Sequence, residues 1–465
     1  MIITLLLWVN YAIFIYFIFV QSTYIILVLL SIPELISRYR EARVDNIERI
    51  VKSESIPDIS IFIPVYNMAD SVGFMLNCFI ALRYRKKRII LVNDGSTDGT
   101  MEYLINAYKL LPTPPLKPGE LKTGPIKQMY RSAIHPELFV VDKFHEGKVD
   151  AMNAAINACP DPFYLLIDAD TVINDKTLHA LVKTSLIRPH LVACGGTIGV
   201  GNRSRFRGHI LDKVLFPDKF LAGTQAVEYL RSFLYGRLGM NHIGGNLILS
   251  GAFGFFDRDV VAQAGGYKFN IGDDVDIVVR IHRLMREKKK PYEVHFLPDL
   301  VAWTEVPDDW ASLSRQRERW HRGVLNVVWA NKHVLFNPKY GRFGFFTFPL
   351  LVLVETISPV IETSGYFVVL ICMFFGIVNW PFAFWYLFLA ILFPIVLTSV
   401  CIMMELSSFR NYKTEGVGLK MLYYAILEQL GVRQTLMIFR FLSFFKWFRK
   451  EEAWIENKRT GVRNE

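Results

Sequence analysis

Between Ile2 and Ile32 the chain carries no charged residue, and only Asn10 and Gln21 interrupt it as strongly polar side chains. A helix of that length rises about 45 Å, well beyond the ~30 Å hydrocarbon core of a bilayer. A water-soluble fold has no place for a helix that is apolar all round. A cleaved leader would need a basic start, a shorter apolar run and a small-residue cleavage site, and none of these is present. The segment 1–33 therefore reads as a retained transmembrane helix. Two further apolar runs, 346–378 (kinked at Pro359) and 382–406, are joined at Asn379-Trp380-Pro381, too short a link for anything but a hairpin. A hydrophobic content of 52% fits three spans around a polar middle.

Arg38, Arg40, Arg43, Arg49 and Lys52 follow the first span, whose other flank has no Lys or Arg. The positive-inside rule then places the N-terminus outside and residue 40 onward in the cytoplasm of a multi-pass cell-membrane protein. Arg410 and Lys413 return the chain to the basic side. Glu355 and Glu362, inside a span, are expected to face protein or a watery path rather than lipid. Segment 417–449 is apolar but carries Lys420, Glu428, Arg433 and Arg440 around Gly431, which suits interfacial or re-entrant amphipathic helices. Segment 34–55 reads as a basic juxtamembrane linker, 56–332 as the cytoplasmic domain, 333–345 as interfacial and 450–465 as a cytoplasmic tail. The net charge of +10 gathers on membrane flanks and at RYRKKR, 83–88. Membrane lipids are the partner this implies; no nucleic-acid-binding motif is present. The five cysteines show no paired spacing and read as free thiols.

Within the polar middle, ISIFI at 59–63 is a buried strand ending in Pro64-Val65-Tyr66-Asn67, and RIILVN at 88–93 is a second, ending in Asp94-Gly95-Ser96-Thr97-Asp98. Helices at 70–82 and 100–110 separate apolar strands, the pattern of an α/β, doubly wound, mainly parallel sheet. Ligands of such sheets sit beyond the carboxyl ends of the strands, where Tyr66 and Asp94 lie. By itself DGSTD also suits a helix N-cap. Residues 111–136, rich in Pro, Gly and Lys, read as an inserted loop. A third strand, 139–142, is followed by Gly147-Lys148 and a helix from 149 to 158.

The fourth strand, 164–167, ends in Asp168-Ala169-Asp170. Two carboxylates at i and i+2 where a buried strand runs out can turn toward one hard divalent cation, which points to Mg²⁺ or Mn²⁺. A strand at 191–195 follows, then 206–240, aromatic and basic, like a helix against a membrane. LILSGAFGFF at 247–256 reads as a strand broken at Ser250-Gly251, where backbone can approach a ligand. Gly272-Asp273-Asp274-Val275-Asp276 opens a helix with three acids in four residues, more than the helix dipole needs; one is a candidate general base. Finally, a helix through 312–324 puts Gln316, Arg319 and Trp320 on one face. An amide, a guanidinium fork and an aromatic plate suit a diphosphate and a sugar ring. The pattern alone also suits an ordinary amphipathic helix.

Taken in order, PVYN, NDGSTD, GK, DAD, SGAF, GDD and QRERW, set between membrane spans, resemble the membrane-embedded family 2 glycosyltransferases of GT-A fold, such as cellulose, chitin, hyaluronan and poly-N-acetylglucosamine synthases. The resemblance covers roughly residues 57–405. It implies that Asp94 meets the uracil, that Asp168 and Asp170 hold the metal diphosphate and that Asp274 is the base. Gln316, Arg319 and Trp320 would hold the diphosphate and the acceptor sugar. Tyr66 would stack near the nucleotide base and Lys148 lie near the nucleotide, with Gly251 at the acceptor and diphosphate. Three departures stand out: Asn93 where an acid is common, YNMAD in place of YNE, and Asp273 where many members carry Glu.

The parts imply an inverting transfer, with one carboxylate deprotonating the acceptor while cation and arginine stabilise the leaving diphosphate. The expected partners are a nucleotide sugar, a UDP-sugar above all, and a growing polysaccharide whose export the spans would serve. A single addition to a lipid acceptor is the alternative, favoured by having only three spans; Q-x-x-R-W favours the polymer. A non-enzymatic subunit would be expected to have lost some of these acids and Arg319.

Overall fold

A computed structural model describes residues 2–44, 56–116, 119–378, 380–409, 412 and 414–449. Linker residues 45–55, the tail 450–465, Asn379, Arg410 and Lys413 lie outside the described residues. The chain divides into two compact units. One, a sheet unit, contains the chain up to Leu215 after Ser37, together with Asn246–Glu305. The other, helical, contains the first helix to Ser37, Phe216–Gly245 and the described chain from Val306 to Arg449. Segment 56–332, expected as a single domain, is thus shared between the two. The reason is that its later helices bury their apolar faces among other helices rather than on the sheet.

The strands of the first unit are β1 Ile59–Val65, β2 Lys87–Asp94, β3 Leu110–Pro112, β4 Ile126–Ser132, β5 Leu138–Lys143, β6 Phe163–Ile167, β7 Thr171–Ile173, β8 Leu191–Val200, β9 Ser204–Arg207, β10 Ile210–Val214, β11 Phe253–Asp257 and β12 Glu293–Thr304. Ten of them form one sheet in the order β3-β4-β5-β2-β1-β6-β11-β8-β12-β7. The strands β5, β2, β1 and β6 run parallel, with Ile61 opposite both Ile89 and Leu165. β8 and β12 are also parallel, whereas β3, β4, β7 and β11 join antiparallel. The α/β fold is as expected, but the sheet is mixed rather than mainly parallel. Near-continuous apolar runs in the central strands require cover on both faces. On one face Phe62, Ile90 and Tyr164 share a core with Ala155 and Ile156 of the helix Lys148–Ala158 and with Ile277 and Ile281 of the helix Asp273–Glu287. Phe62 and Tyr164 stack at 4.3 Å. This packing sets the carboxyl ends of β2, β1 and β6 side by side.

Three sequence expectations need correction. The insert 111–136 contains strand β4 and the end of β3, which extend the sheet edge. Its remaining loop is pinned: Glu120 and Leu121 donate backbone N–H groups to Asn157 Oδ1, both at 2.9 Å, and Gly124 N–H donates to Asp150 at 2.9 Å. The stretch from 206 is not helical at first; β9 and β10 form a separate hairpin, and helix begins at Phe220. Only 253–257 of the expected strand 247–256 pairs, because the glycine and serine before it are spent on a loop.

Among the described residues of the helical unit three helices, Trp8–Ser37, Phe343–Phe374 and Ala383–Ser407, are long and apolar enough to cross a membrane. Tyr16 donates to the Leu353 carbonyl at 2.7 Å and Gln21 to that of Leu389 at 2.8 Å, so the first helix is tied to both later spans. Pro359 lies inside the helix Phe343–Phe374, directly after the π-helical turn Leu351–Ile357, where the change in bonding pattern accommodates a residue without an N–H. The helices Val417–Leu427 and Arg433–Phe448 meet at a break whose Gly431 has φ of 133°, a conformation open in practice only to glycine.

Candidate active site

The site begins at the end of β2. Asp94 is buried, and both its oxygens are engaged: Oδ1 accepts from Lys143 Nζ at 2.7 Å and Oδ2 from the backbone N–H of Gly147 at 2.8 Å. His145 Nδ1 stands 2.9 Å from Oδ2. Gly95, at φ 69°, lets this turn close on β5, since a Cβ there would sit 2.6 Å from the His145 nitrogen. Lys143 also lies 2.9 Å from Asp150. Burial alone would lower its pKa, but the two carboxylates outweigh that and hold it above the ordinary value. Asp94 thus anchors the β5 loop. The exposed ring facing outward here is Tyr66, stacked on His145 at 4.3 Å.

The DGSTD turn does more than cap a helix. Asp98 Oδ1 accepts from the Thr100 N–H, the first of the helix Thr100–Tyr108, at 3.0 Å. The loop after β1 is also stitched to the turn. Asn67 N–H donates to Ser96 Oγ, Met68 N–H to Thr100 Oγ1 and Ala69 N–H to Asp98, each at 2.9 Å. These bonds explain how YNMAD holds its loop without the acid of YNE.

From Asp94 a line of contacts runs across the strand ends. Gly147, bonded to Asp94, precedes Lys148, whose Nζ lies 2.6 Å from Asp168 Oδ1. The Asp168 N–H donates to the Ala252 carbonyl at 3.3 Å, and Thr171 N–H to the Asp168 carbonyl at 3.0 Å, turning β6 back into β7. Beside Ala252, a Cβ on Gly251 would lie 3.7 Å from Asp274 Oδ2. Gly251 therefore leaves the Asp274 carboxylate approachable on that side.

The three acids of GDDVD have separate fates. Asp276 is buried and paired with Arg280 at 2.7 Å, a structural link. Burial pushes the Asp273 carboxyl up to about 6; Lys148 opposes this, while Asp274 and Asp168 add to it. Asp274 is half-buried, with Oδ1 accepting from the Val275 N–H at 2.9 Å. Asp168 and Asp170 supply oxygen ligands only, and no cluster of three or more metal-ligating side chains occurs among the described residues. That donor set suits a divalent cation completed by substrate phosphates and water rather than one caged by protein.

The remaining expected residues belong to the helical unit. In the helix Trp310–Ala330, Arg317 is buried and bound by both arms to Glu228, at 2.7 and 2.8 Å. His321 is buried against Ser443 Oγ at 2.7 Å, and burial pushes its pKa down to about 3. Gln316, Arg319 and Trp320 lie less deep, with Trp320 41% exposed. The Gln316 amide oxygen is buried without a hydrogen-bond partner among the described residues. The sequence reading missed Lys143, His145 and Glu228. The one hint was a lysine ending an otherwise apolar strand, since a buried ammonium demands an acid.

Two family models match this chain: "Glycosyl transferase family 2" over residues 60–117 and "Glycosyltransferase like family 2" over 128–323. A poly-beta-1,6-N-acetyl-D-glucosamine synthase of Staphylococcus epidermidis is 25% identical over 286 residues, 61% of this chain and 59% of the relative. The corresponding synthase of a Staphylococcus aureus strain is 24% identical over 279 residues, 60% of this chain and 57% of the relative. The matched region thus spans under two thirds of these relatives. Among solved structures, a mannosyltransferase from Pyrobaculum calidifontis, in complex with GDP-Man and Mn²⁺, aligns with 89% of this chain and 99% of its own at 17% identity and a TM-score of 0.48. The matched segments contain Tyr66, Asp94, Lys148, Asp168, Asp170, Gly251 and Asp274 of the sheet unit, together with Gln316, Arg319 and Trp320 of the helical unit, and the chain carries a family 2 glycosyltransferase domain.

Proposed function

We propose that the protein is an inverting membrane glycosyltransferase that moves a sugar from a nucleotide diphosphate, UDP in the first instance, onto a growing polysaccharide. The reading rests chiefly on the line of contacts Asp94–Gly147–Lys148–Asp168–Ala252 with Gly251 against Asp274. That line follows the carboxyl ends of the central strands β2 and β6, which supports reading nucleotide, diphosphate and general-base functions there in the order a sugar nucleotide needs them. Tyr66 offers a face to the nucleotide base, Lys148 offers charge to the phosphates, and Asp168 and Asp170 hold the divalent cation. When bound, that cation neutralises the leaving diphosphate. Asp274 removes the acceptor proton, a step worth roughly 10²–10⁴-fold. Arg319 adds charge to the diphosphate, and Gln316 and Trp320 take the acceptor sugar.

Similarity to two poly-N-acetylglucosamine synthases supports a polymer product and makes UDP-N-acetylglucosamine the first donor to try. Three helices able to span a membrane support a multi-pass protein, with the sheet unit cytoplasmic and the N-terminus outside by the positive-inside argument. Purified membranes are incubated with radiolabelled UDP-N-acetylglucosamine, UDP-glucose and GDP-mannose, and the products are sized. A polymer from one donor is expected. A single sugar on a lipid would replace the polymer by a glycolipid, and no turnover of any donor would end the reading.

A further inference from the structure

The Arg317 guanidinium does two things at once. Its two arms grip Glu228 of the helix Phe220–Arg231 at 2.7 and 2.8 Å, and its central carbon lies 4.7 Å from the centre of the Trp320 ring. Arg317 is 7% exposed while Trp320 is 41% exposed. An indole so exposed on a helix is normally free to change rotamer. Here one ring face is covered by a flat cation that cannot swing away, because a bidentate carboxylate fixes its plane. Glu228 also offsets the charge, so the pair presents a rigid plate without a bare cation.

We propose that Glu228 and Arg317 are positioning residues for Trp320: they hold the indole at the angle at which its exposed surface receives the acceptor sugar. This rests on the reading that Trp320 stacks on that sugar. The alternative for a buried ion pair between two helices is a purely structural tie. The two roles differ in one respect. A structural tie costs the same whatever stands at 320, whereas a positioning pair matters only while the tryptophan is there.

A double-mutant cycle separates them. Arg317→Lys keeps the charge but loses the fork, and Glu228→Asp shortens the other arm. Each is made in wild-type and Trp320→Ala backgrounds of the full-length protein. The donor is whichever nucleotide sugar of the panel turns over, with short oligosaccharides of that sugar as acceptor. Arg317→Lys is expected to raise the acceptor KM about 3- to 10-fold, the scale of a lost cation–π contact, and to shorten products. The donor KM stays within about twofold. In the Trp320→Ala background the same change adds nothing to the acceptor KM, although it lowers the melting midpoint equally in both. Equal KM rises in the two backgrounds overturn the positioning role and leave the acceptor reading standing. A wild-type acceptor KM in Trp320→Ala, or no turnover of any donor, overturns the acceptor reading itself. If Arg317→Lys does not fold, Glu228→Asp carries the cycle.

Discussion

Lys143 sets its ammonium 2.7 Å from Asp94 and 2.9 Å from Asp150, and its side chain has no solvent exposure. A nucleotide-contacting aspartate would ordinarily be expected at the surface, yet Asp94 is held from behind by a buried cation and two backbone N–H groups. Removing that cation leaves the buried Asp94 carboxylate, and Asp150 beside it, without the charge that offsets theirs. Lys143→Met is therefore expected to cost about 3–5 kcal/mol, read as a lowered melting midpoint of the purified protein. Restoring balance with Asp94→Asn in the same chain should recover part of the loss. A midpoint unchanged in Lys143→Met would show that the pair carries no stability.

Asp274 stands apart from its neighbours because Asp276 is committed to Arg280 and Asp273 is pushed toward its neutral form. Asp274→Asn should lower kcat by roughly 10²–10⁴-fold with nucleotide-sugar affinity within a few fold. Affinity and rate falling together would make Asp274 a binding residue. Asp273, whose carboxyl is pushed up to about 6 and so is half-protonated near that pH, should make Asp273→Asn the milder substitution of the two.

Lys148 lies 2.6 Å from Asp168, and a cation held by Asp168 and Asp170 would supply the further positive charge that a diphosphate leaving group needs. Turnover is expected to stop in excess EDTA and to return with added Mn²⁺ or Mg²⁺. Asp170→Ala should raise the metal concentration needed for half-maximal rate. Full turnover in EDTA would remove the metal from the reading.

His282 gives the sheet unit one source of acid sensitivity. It is fully buried between Tyr292 OH, at 2.9 Å, and the Asn246 carbonyl, at 3.0 Å, and burial pushes its pKa down to about 4. Between about pH 6.5 and pH 4 the unfolded chain binds this proton and the folded chain does not. Stability should therefore fall as pH drops through that window, by on the order of 3 kcal/mol. Melting midpoints measured across pH 7 to 4 should decline less steeply in His282→Gln; equal slopes would assign the decline to other groups.

What the sequence made legible follows from how each feature is encoded. Strands β1, β2 and β6 announce themselves because apolar runs stop abruptly at Tyr66, Asp94 and Asp168, so the strand-end residues were visible. The β9–β10 hairpin was missed because its strands are only four and five residues long, too short for the alternation of Arg205, Phe206 and Arg207 to stand out, and only the Gly208 turn marks it. Strand β4 was hidden in a Pro- and Lys-rich insert, since IKQMYRS lies next to the short edge strand β3 and has few buried positions. Lys143 with Asp94, and Glu228 with Arg317, pair across 49 and 89 residues. No local spacing encodes such partners. Likewise the need for Glu362 to face protein was legible, but its partner was not.

That partner is Arg433. Glu362, 2% exposed within a candidate span, accepts from Arg433 Nε at 3.1 Å and Nη2 at 3.2 Å, and from Tyr366 OH at 2.8 Å. The arginine comes two residues after Gly431, so the break between the helices Val417–Leu427 and Arg433–Phe448 is fastened to the span by this pair. Within an apolar helical unit an unpaired charge is far costlier than no charge at all. Glu362→Leu should strand the guanidinium and cost about 3–5 kcal/mol. Glu362→Leu combined with Arg433→Leu should cost clearly less than the single change, because no buried charge is left over. Melting midpoints in one detergent decide the matter. A double variant as unstable as the sum of the singles would mean that each residue serves the fold through other contacts, and that the pair does not fasten the break.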